Sequence, residues 1–386
     1  MTSRYCYNRR DSAANDTTQA PTSRDDASQC WFTRTCAYLN LPGCRNKTQR
    51  VFPRISQTSP ERRDASLTEP SFDVKALSPS DIDAASEKGK TILYLAYGSN
   101  LCKETFREKR GIKPLSQINV LVPSLRLTFD LPGVPYIEPC FGNSAMREPD
   151  AMQDPDAMDS EDYHKDRWKK GLVGCVYEVT PSDYAQIIAT EGGGAGYQDI
   201  LVDCYPLPDG DTVPEKPTTR RFLAHTLFAP PEKSHARPDP SYAQPSARYL
   251  NLITTGAAEL SLPREYQLYL NEIRPYTITT KKQQMGKVLF ASIWLPFLQL
   301  LFALNAQFQD DKGRSPPWLA QLAALLFLGI WRCYDGAFKK VFGDGERTKG
   351  DETSSKKGDE MDEAQWRRIG ENNGWFRSHE KIEHMA

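Results

Sequence analysis

The chain has 386 residues, 39% of them hydrophobic and 10% aromatic, enough to bury a sizeable core and too apolar for a wholly disordered protein. Lysine and arginine number 49 against 50 acidic residues, a formal net charge of -1, so nothing in the balance points to nucleic acid and no nucleic-acid partner is expected. Nine cysteines at 6, 30, 36, 44, 102, 140, 175, 204 and 333 form no CxxC pair and are odd in number, which argues against a disulfide framework or a zinc site and for a reducing, cytoplasmic compartment.

Residues 1–88 are rich in Ser, Thr, Asp, Arg and Pro without a sustained period and read as a disordered leader. Arg4, Arg9 and Arg10 are followed by no apolar stretch, which argues against a secretory signal, and Asp16, Asp25 and Asp26 interrupt the basic pattern of a transit peptide. A folded domain is expected over 89–285. It opens with TILYLAYGSN (91–100), an apolar β-rich strand running into a Gly-Ser-Asn turn. Strand-like runs follow at 118–129, 171–179, 197–207 and 220–229, and helical patterns at 181–192, 245–260 and 263–273. Short strands with interspersed helices predict an α+β fold on a small, mostly antiparallel sheet or barrel with flanking helices. Two insertions interrupt it: the acidic-then-basic 145–170, whose aspartates lack the spacing of a calcium loop, and the proline-rich 230–245, an extended surface loop.

Residues 286–342 predict a C-terminal hydrophobic helical pair. The first apolar stretch, 288–308, is 21 residues without a charge, long enough to cross a bilayer core, and the second, 318–331, suits an interfacial or re-entrant helix. Two readings stand: membrane association through 288–331, with Lys281, Lys282, Lys287, Arg332, Lys339 and Lys340 keeping both ends cytosolic, or a soluble helical hairpin packed on the preceding domain. Residues 343–386 read as a polar tail.

Two features carry chemistry. In Tyr97-Gly98-Ser99-Asn100-Leu101 the glycine permits unusual torsions, and successive N–H groups of such a turn can receive an anion or a developing oxyanion. Taken alone, it is equally an ordinary turn. Glu191 ends the apolar run 185–190 and precedes Gly192-Gly193-Gly194. A partly desolvated carboxylate there would be raised toward a pKa useful for proton transfer, whereas an exposed one is only a glutamate beside a C-cap glycine.

Together, in order, these features resemble the γ-glutamyl cyclotransferase family. The resemblance runs from about 92 to 276 and includes LVGCVYEVTPSDYAQIIATEG, similar to the family's strand, helix and Glu-Gly segment, and PSARYLNLITTGAAELSLPREYQLYLNEIRPY, similar to its closing helices. It implies a compact α+β cyclotransferase fold, a small-molecule γ-glutamyl substrate, a substrate-binding loop at Tyr97, Gly98, Ser99, Asn100 and Leu101, and Glu191 as the acid/base. Tyr197 would contact the substrate, although it lies one residue nearer Glu191 than the family pattern has it. A further pocket tyrosine is replaced near His225 and Thr226. The insertions and the hydrophobic pair look most like the fungal branch, which includes enzymes of epidithiodioxopiperazine biosynthesis such as the gliotoxin pathway.

The implied reaction is attack of the substrate's α-amine on its own γ-amide, releasing 5-oxoproline and a free amine, with no metal and no cofactor required. The loop N–H groups would hold the substrate carboxylate or the tetrahedral oxyanion. A competing reading is a non-catalytic, membrane-associated γ-glutamyl-ligand or protein-binding module with the same fold, and the intact Glu191-Gly192 weighs against it. A thiol enzyme using Cys102 is a third, and no histidine stands in a context that marks it as the partner base.

Overall fold

The structure, a computed structural model, describes residues 53–68, 89–147, 165, 167–190, 198–229, 237, 239, 241–308 and 315–348. The chain divides into two units, Met1–Arg54 and Ile55–Ala386, and the fold set out here is that of the second.

Its centre is a five-stranded barrel. β2 (Ile92–Ala96), β3 (Ser116–Val122), β6 (Leu172–Val179), β7 (Gln198–Pro206) and β8 (Phe222–Phe228) run in the order β3-β6-β2-β8-β7, and pairing of β7 with β3 at Val120↔Pro206 closes the ring. All pairings but β2–β8 are antiparallel within it. β2 and β6 read as near-continuous apolar runs because both faces are covered: all five residues of β2 are buried, as are Leu172, Val173, Cys175 and Val176. The α+β class with a small, mostly antiparallel barrel is therefore the observed fold.

The stretch 118–129, read as one strand, is two. Pro123 and Ser124 form a turn between β3 and β4 (Leu125–Val134), since proline lacks the N–H that a continuous ladder needs. β4 leaves the barrel and pairs with β5 (Glu138–Met146), whose Pro, Gly and Asn hide its strand character from propensity. The tip of this hairpin carries Tyr136, in a left-handed conformation at φ 64.

Helix α2 (Pro181–Thr190) joins β6 to β7; α3 (Ala247–Glu259) and α4 (Arg264–Glu272) follow β8. Order also begins earlier than the leader boundary at 88: β1 (Ser56–Gln57) adds to β3 in parallel, and α1 (Pro60–Ala65), capped by Ser59, places Arg62 3.2 Å from Glu178.

The C-terminal pair forms α5 (Lys281–Phe308) and α6 (Pro317–Cys333), continued by a wide turn, Tyr334–Phe338, and by α7 (Lys339–Phe342). Its base makes a second core in which Tyr136 packs with Phe290, Tyr334 and Phe338. Residues 343–348, expected to begin a solvated tail, instead run back over this core as a strap. Tyr136 donates its N–H to Gly345 O at 2.8 Å, and Asp344 and Glu346 are buried. Glu346 is held by Arg237 and Lys339. Arg237 belongs to the proline-rich segment read as a surface loop, yet it lies 4.0 Å over the Trp331 ring.

Candidate active site

The segment after β2 turns sharply. Ser99–Leu101 make one turn of tight helix, in which Leu101 N–H bonds to Gly98 O at 3.0 Å and Cys102 N–H to Ser99 O at 3.2 Å. The N–H groups of Gly98, Ser99 and Asn100 are not used by that turn itself. Three contacts fix the loop. Tyr97 donates its hydroxyl to Leu227 O at 3.0 Å, tying the loop to β8. Asn100 Nδ2 donates to Tyr94 Oη at 2.8 Å, and both residues are buried. From the other side α3 presses Gly256 onto it: a Cβ at Gly256 would stand 2.4 Å from Leu101 C and 2.5 Å from Cys102 N, so only glycine permits this approach.

Tyr249, about two turns earlier on α3, reaches over the loop. Its hydroxyl accepts the N–H of Gly142 on β5 at 3.0 Å and lies 3.3 Å from where a Cβ on Gly98 would be. Gly98, Gly142 and the Tyr249 hydroxyl thus meet in one place, two of them offering bare backbone. Phe141 packs edge-on against the Tyr249 ring at 5.3 Å. The position of α3 is in turn set by Ser246, which caps Tyr249 N–H at 3.0 Å and contacts buried Glu138 on β5, and by Arg248, whose Nε donates to the same carboxylate at 2.9 Å. Two residues beyond Gly142 on the same face, the buried Ser144 hydroxyl makes no hydrogen bond.

Glu191 and Tyr197 fall outside the described residues, which stop at the end of α2 with Thr190 and resume with Gln198. The approach to Glu191 is nonetheless well defined. Tyr184 of α2 lies 5.9 Å from Tyr94, whose ring also stacks with Phe106 at 6.1 Å. Tyr94 therefore touches the helix that leads to Glu191 with its ring and the loop with its hydroxyl. At the end of that helix Thr190 Oγ1 donates to Gln186 O at 2.9 Å and contacts Arg110, from the wide helical turn that follows the loop. Tyr94 thus joins the loop to α2, the helix that precedes Glu191 in sequence, and the helical turn after the loop contacts the end of the same helix through Arg110–Thr190.

Tyr249, Gly142 and Glu138 were missed by sequence reasoning. The only trace was the PSARY segment inside the longer resemblance, since two bare glycines and a tyrosine far apart in sequence carry no local pattern. His225 and Thr226, where a pocket tyrosine was expected, are both engaged: Thr226 Oγ1 donates to Leu95 O at 3.2 Å, and His225 Nδ1 lies 2.9 Å from Asp199 Oδ1. Cys102 is buried at the end of the loop turn. Burial pushes the Cys175 thiol up to about 12, and those of Cys140 and Cys204 upward as well, so these three remain protonated. Among the described residues no three His, Cys, Asp or Glu side chains cluster as metal ligands would.

Comparison with known proteins converges on one family. The chain is 35% identical over 268 residues to γ-glutamyl cyclotransferase gliK of Aspergillus fumigatus, covering 69% of this chain and 93% of the relative. It is 29% identical over 266 residues to γ-glutamyl cyclotransferase aclK of Aspergillus oryzae, covering 67% of this chain and 92% of that one. Residues 280–341 match the family described as AclK C-terminal domain, a span that coincides with the helical pair. A solved γ-glutamyl cyclotransferase structure overlaps 50% of this chain and 93% of its own at 19% identity with a TM-score of 0.35, a likeness too low to add to the assignment.

Proposed function

The chain belongs to the γ-glutamyl cyclotransferase family, and from that premise we propose that it converts a γ-glutamyl amide to 5-oxoproline and a free amine, with Glu191 as the acid/base. The observation that supports this reading is the contact of Tyr94 with both the loop after β2 and the helix that precedes Glu191 in sequence.

The substrate's α-amine attacks its own γ-carbonyl carbon, a C–N bond closes the five-membered ring, and the C–N bond to the departing amine breaks. Redox change and hydrolysis play no part, so atoms balance with one proton carried from the attacking nitrogen to the leaving one. The carboxylate of Glu191 accepts that proton and returns it. Ring closure is intramolecular, which leaves the protein mainly the task of holding amine and carbonyl in line. Backbone N–H groups at Gly98, Ser99 and Asn100 serve as donors to the substrate carboxylate or the oxyanion. Tyr249 and Gly142 line the same place, and Tyr97 braces the loop, because its one proton is committed to Leu227. For the group on the glutamyl unit we infer a conjugate of the kind handled by the fungal branch, a glutathione-derived adduct.

The test is release of 5-oxoproline by the full chain from a panel of γ-glutamyl amino acids and glutathione conjugates. Glu191→Gln is expected to lower the rate by roughly 10²–10⁴-fold with substrate binding retained, the range for loss of a positioned acid/base. A variant as fast as the parent removes Glu191 from the mechanism.

A further inference from the structure

Beyond its base, the helical pair carries a surface that water does not suit. On α5 the side chains facing α6 form one stripe, Phe290, Trp294, Leu298, Leu301 and Asn305. Ile293, Phe297, Leu300 and Phe302 are exposed on both sides of it, as are Trp318, Leu322 and Leu325 on α6. At 100° per residue, the exposed apolar positions of α5 cover well over half its circumference. Only 17% of its most apolar 18-residue stretch is buried. A helix apolar all round belongs inside a large core or in lipid.

We propose that the α5–α6 pair inserts into a lipid bilayer as a hairpin with both ends at the cytosolic surface. Three observations select a bilayer over a second protein. A docked partner covers one face and leaves the other polar, whereas here the uncharged surface is all-round. The first uncharged run has the right length: 21 residues over 288–308 rise about 31 Å against a hydrocarbon core of roughly 30 Å, and the shorter uncharged part of α6, 317–331, rises about 22 Å and is lengthened by the non-helical Ser315 and Pro316. The basic residues are sorted to one end: six, Lys281, Lys282, Lys287, Arg332, Lys339 and Lys340, flank the base, against two, Lys312 and Arg314, between the helices. Two polar groups of the hairpin are satisfied within it, Ser292 Oγ donating to Val288 O at 2.8 Å and Ser315 bonding to Asn305, whereas the buried indole N–H groups of Trp294 and Trp331 make no hydrogen bond. The second core at the base, where Tyr136 packs on Phe290 and Phe338, then holds the barrel at the membrane surface. This proposal stands independently of the cyclotransferase reading.

The test uses the full chain, synthesised cell-free with phosphatidylcholine vesicles, with and without phosphatidylserine. The protein is expected to float with the vesicles, to resist alkaline carbonate, and to be protected from added trypsin at Lys312 and Arg314 until detergent is supplied. The combined substitution Ile293→Glu, Phe297→Glu and Leu300→Glu, at positions already exposed, is expected to cut the carbonate-resistant fraction by more than roughly tenfold while leaving the far-ultraviolet circular dichroism unchanged. A parent chain that remains in the aqueous fraction overturns the proposal, whether as a monomer or as a dimer that these substitutions dissociate. So does tryptic cleavage at Lys312 or Arg314 in sealed vesicles, a result that needs no variant to be folded.

Discussion

Gly256 is the residue on which the loop's position turns. Its missing side chain lets α3 lie against the backbone of Leu101 and Cys102, so a methyl group there must move either the helix or the loop. Gly256→Ala is expected to destabilise the fold by about 1–3 kcal/mol. It is also expected to lower kcat/KM by roughly tenfold to a hundredfold through displacement of the loop, measured beside Ala258→Ser on the exposed side of the same helix, which should change neither. An activity loss with unchanged stability would mean that the loop, rather than the helix, gives way. The value of Gly256 could not be read from the TTGAAEL segment, where a glycine in a helical pattern shows as a mild defect. The loop itself was legible because Gly, Ser and Asn after an apolar strand leave few other conformations. Tyr249 and Gly142 were not, because their meeting depends on the β4–β5 pairing.

Glu265 shows the same at the level of an element. It opens α4 and closes two gaps at once, accepting from Lys170 Nζ at 2.6 Å and from Val213 N–H at 2.7 Å, while the next residue, Tyr266, packs edge-on against Trp168. The segment Leu262–Tyr266 thus fastens the helix to the strand entry and to the loop before β8. Burial alone would raise the Glu265 pKa, but the hydrogen bonds from Lys170 and Val213 and the lysine's charge outweigh it and hold it below the usual carboxylate value. A depressed folded-state pKa contributes stability above the unfolded value, near 4.3, and loses it as pH falls through the folded value. Glu265→Gln is expected to lower the stability measured by urea unfolding at neutral pH, by less than about 1 kcal/mol since the pair is part-exposed, and the gap to the parent should close on acidification. A gap that stays constant with pH would assign the effect to packing.

Across the whole molecule, the barrel and the helical hairpin are coupled by buried charge. Arg237 places its guanidinium on Glu346 and Asp335 and over Trp331, and Glu346 is 1% exposed. Removing the cation leaves the buried Glu346 carboxylate with the part-exposed Lys339 as its remaining cation, so Arg237→Ala is expected to cost up to roughly 3–5 kcal/mol, read from denaturation followed by tryptophan fluorescence. A shift below about 1 kcal/mol would show that Lys339 alone suffices for Glu346. The strap was invisible in the sequence because residues 343–348 are as polar as the tail that follows, and burial of Asp344 and Glu346 depends on partners that lie about a hundred residues away. The barrel strands and the apolar pair were legible because hydrophobic runs of those lengths admit few other structures.

The closure of Tyr136 by the strap also orders events in time. Tyr136 and Glu346 are 210 residues apart, which at about 5–20 residues per second separates their synthesis by roughly 10–40 s. Over that interval the tip of the β4–β5 hairpin is covered only in stages, since Phe290 is made 154 residues after Tyr136 and Phe338 and Gly345 only 202 and 209 residues after it. A nascent chain of this protein therefore carries an open aromatic surface until residue 345 has been made, so that the second core closes long after the strands of the barrel are complete.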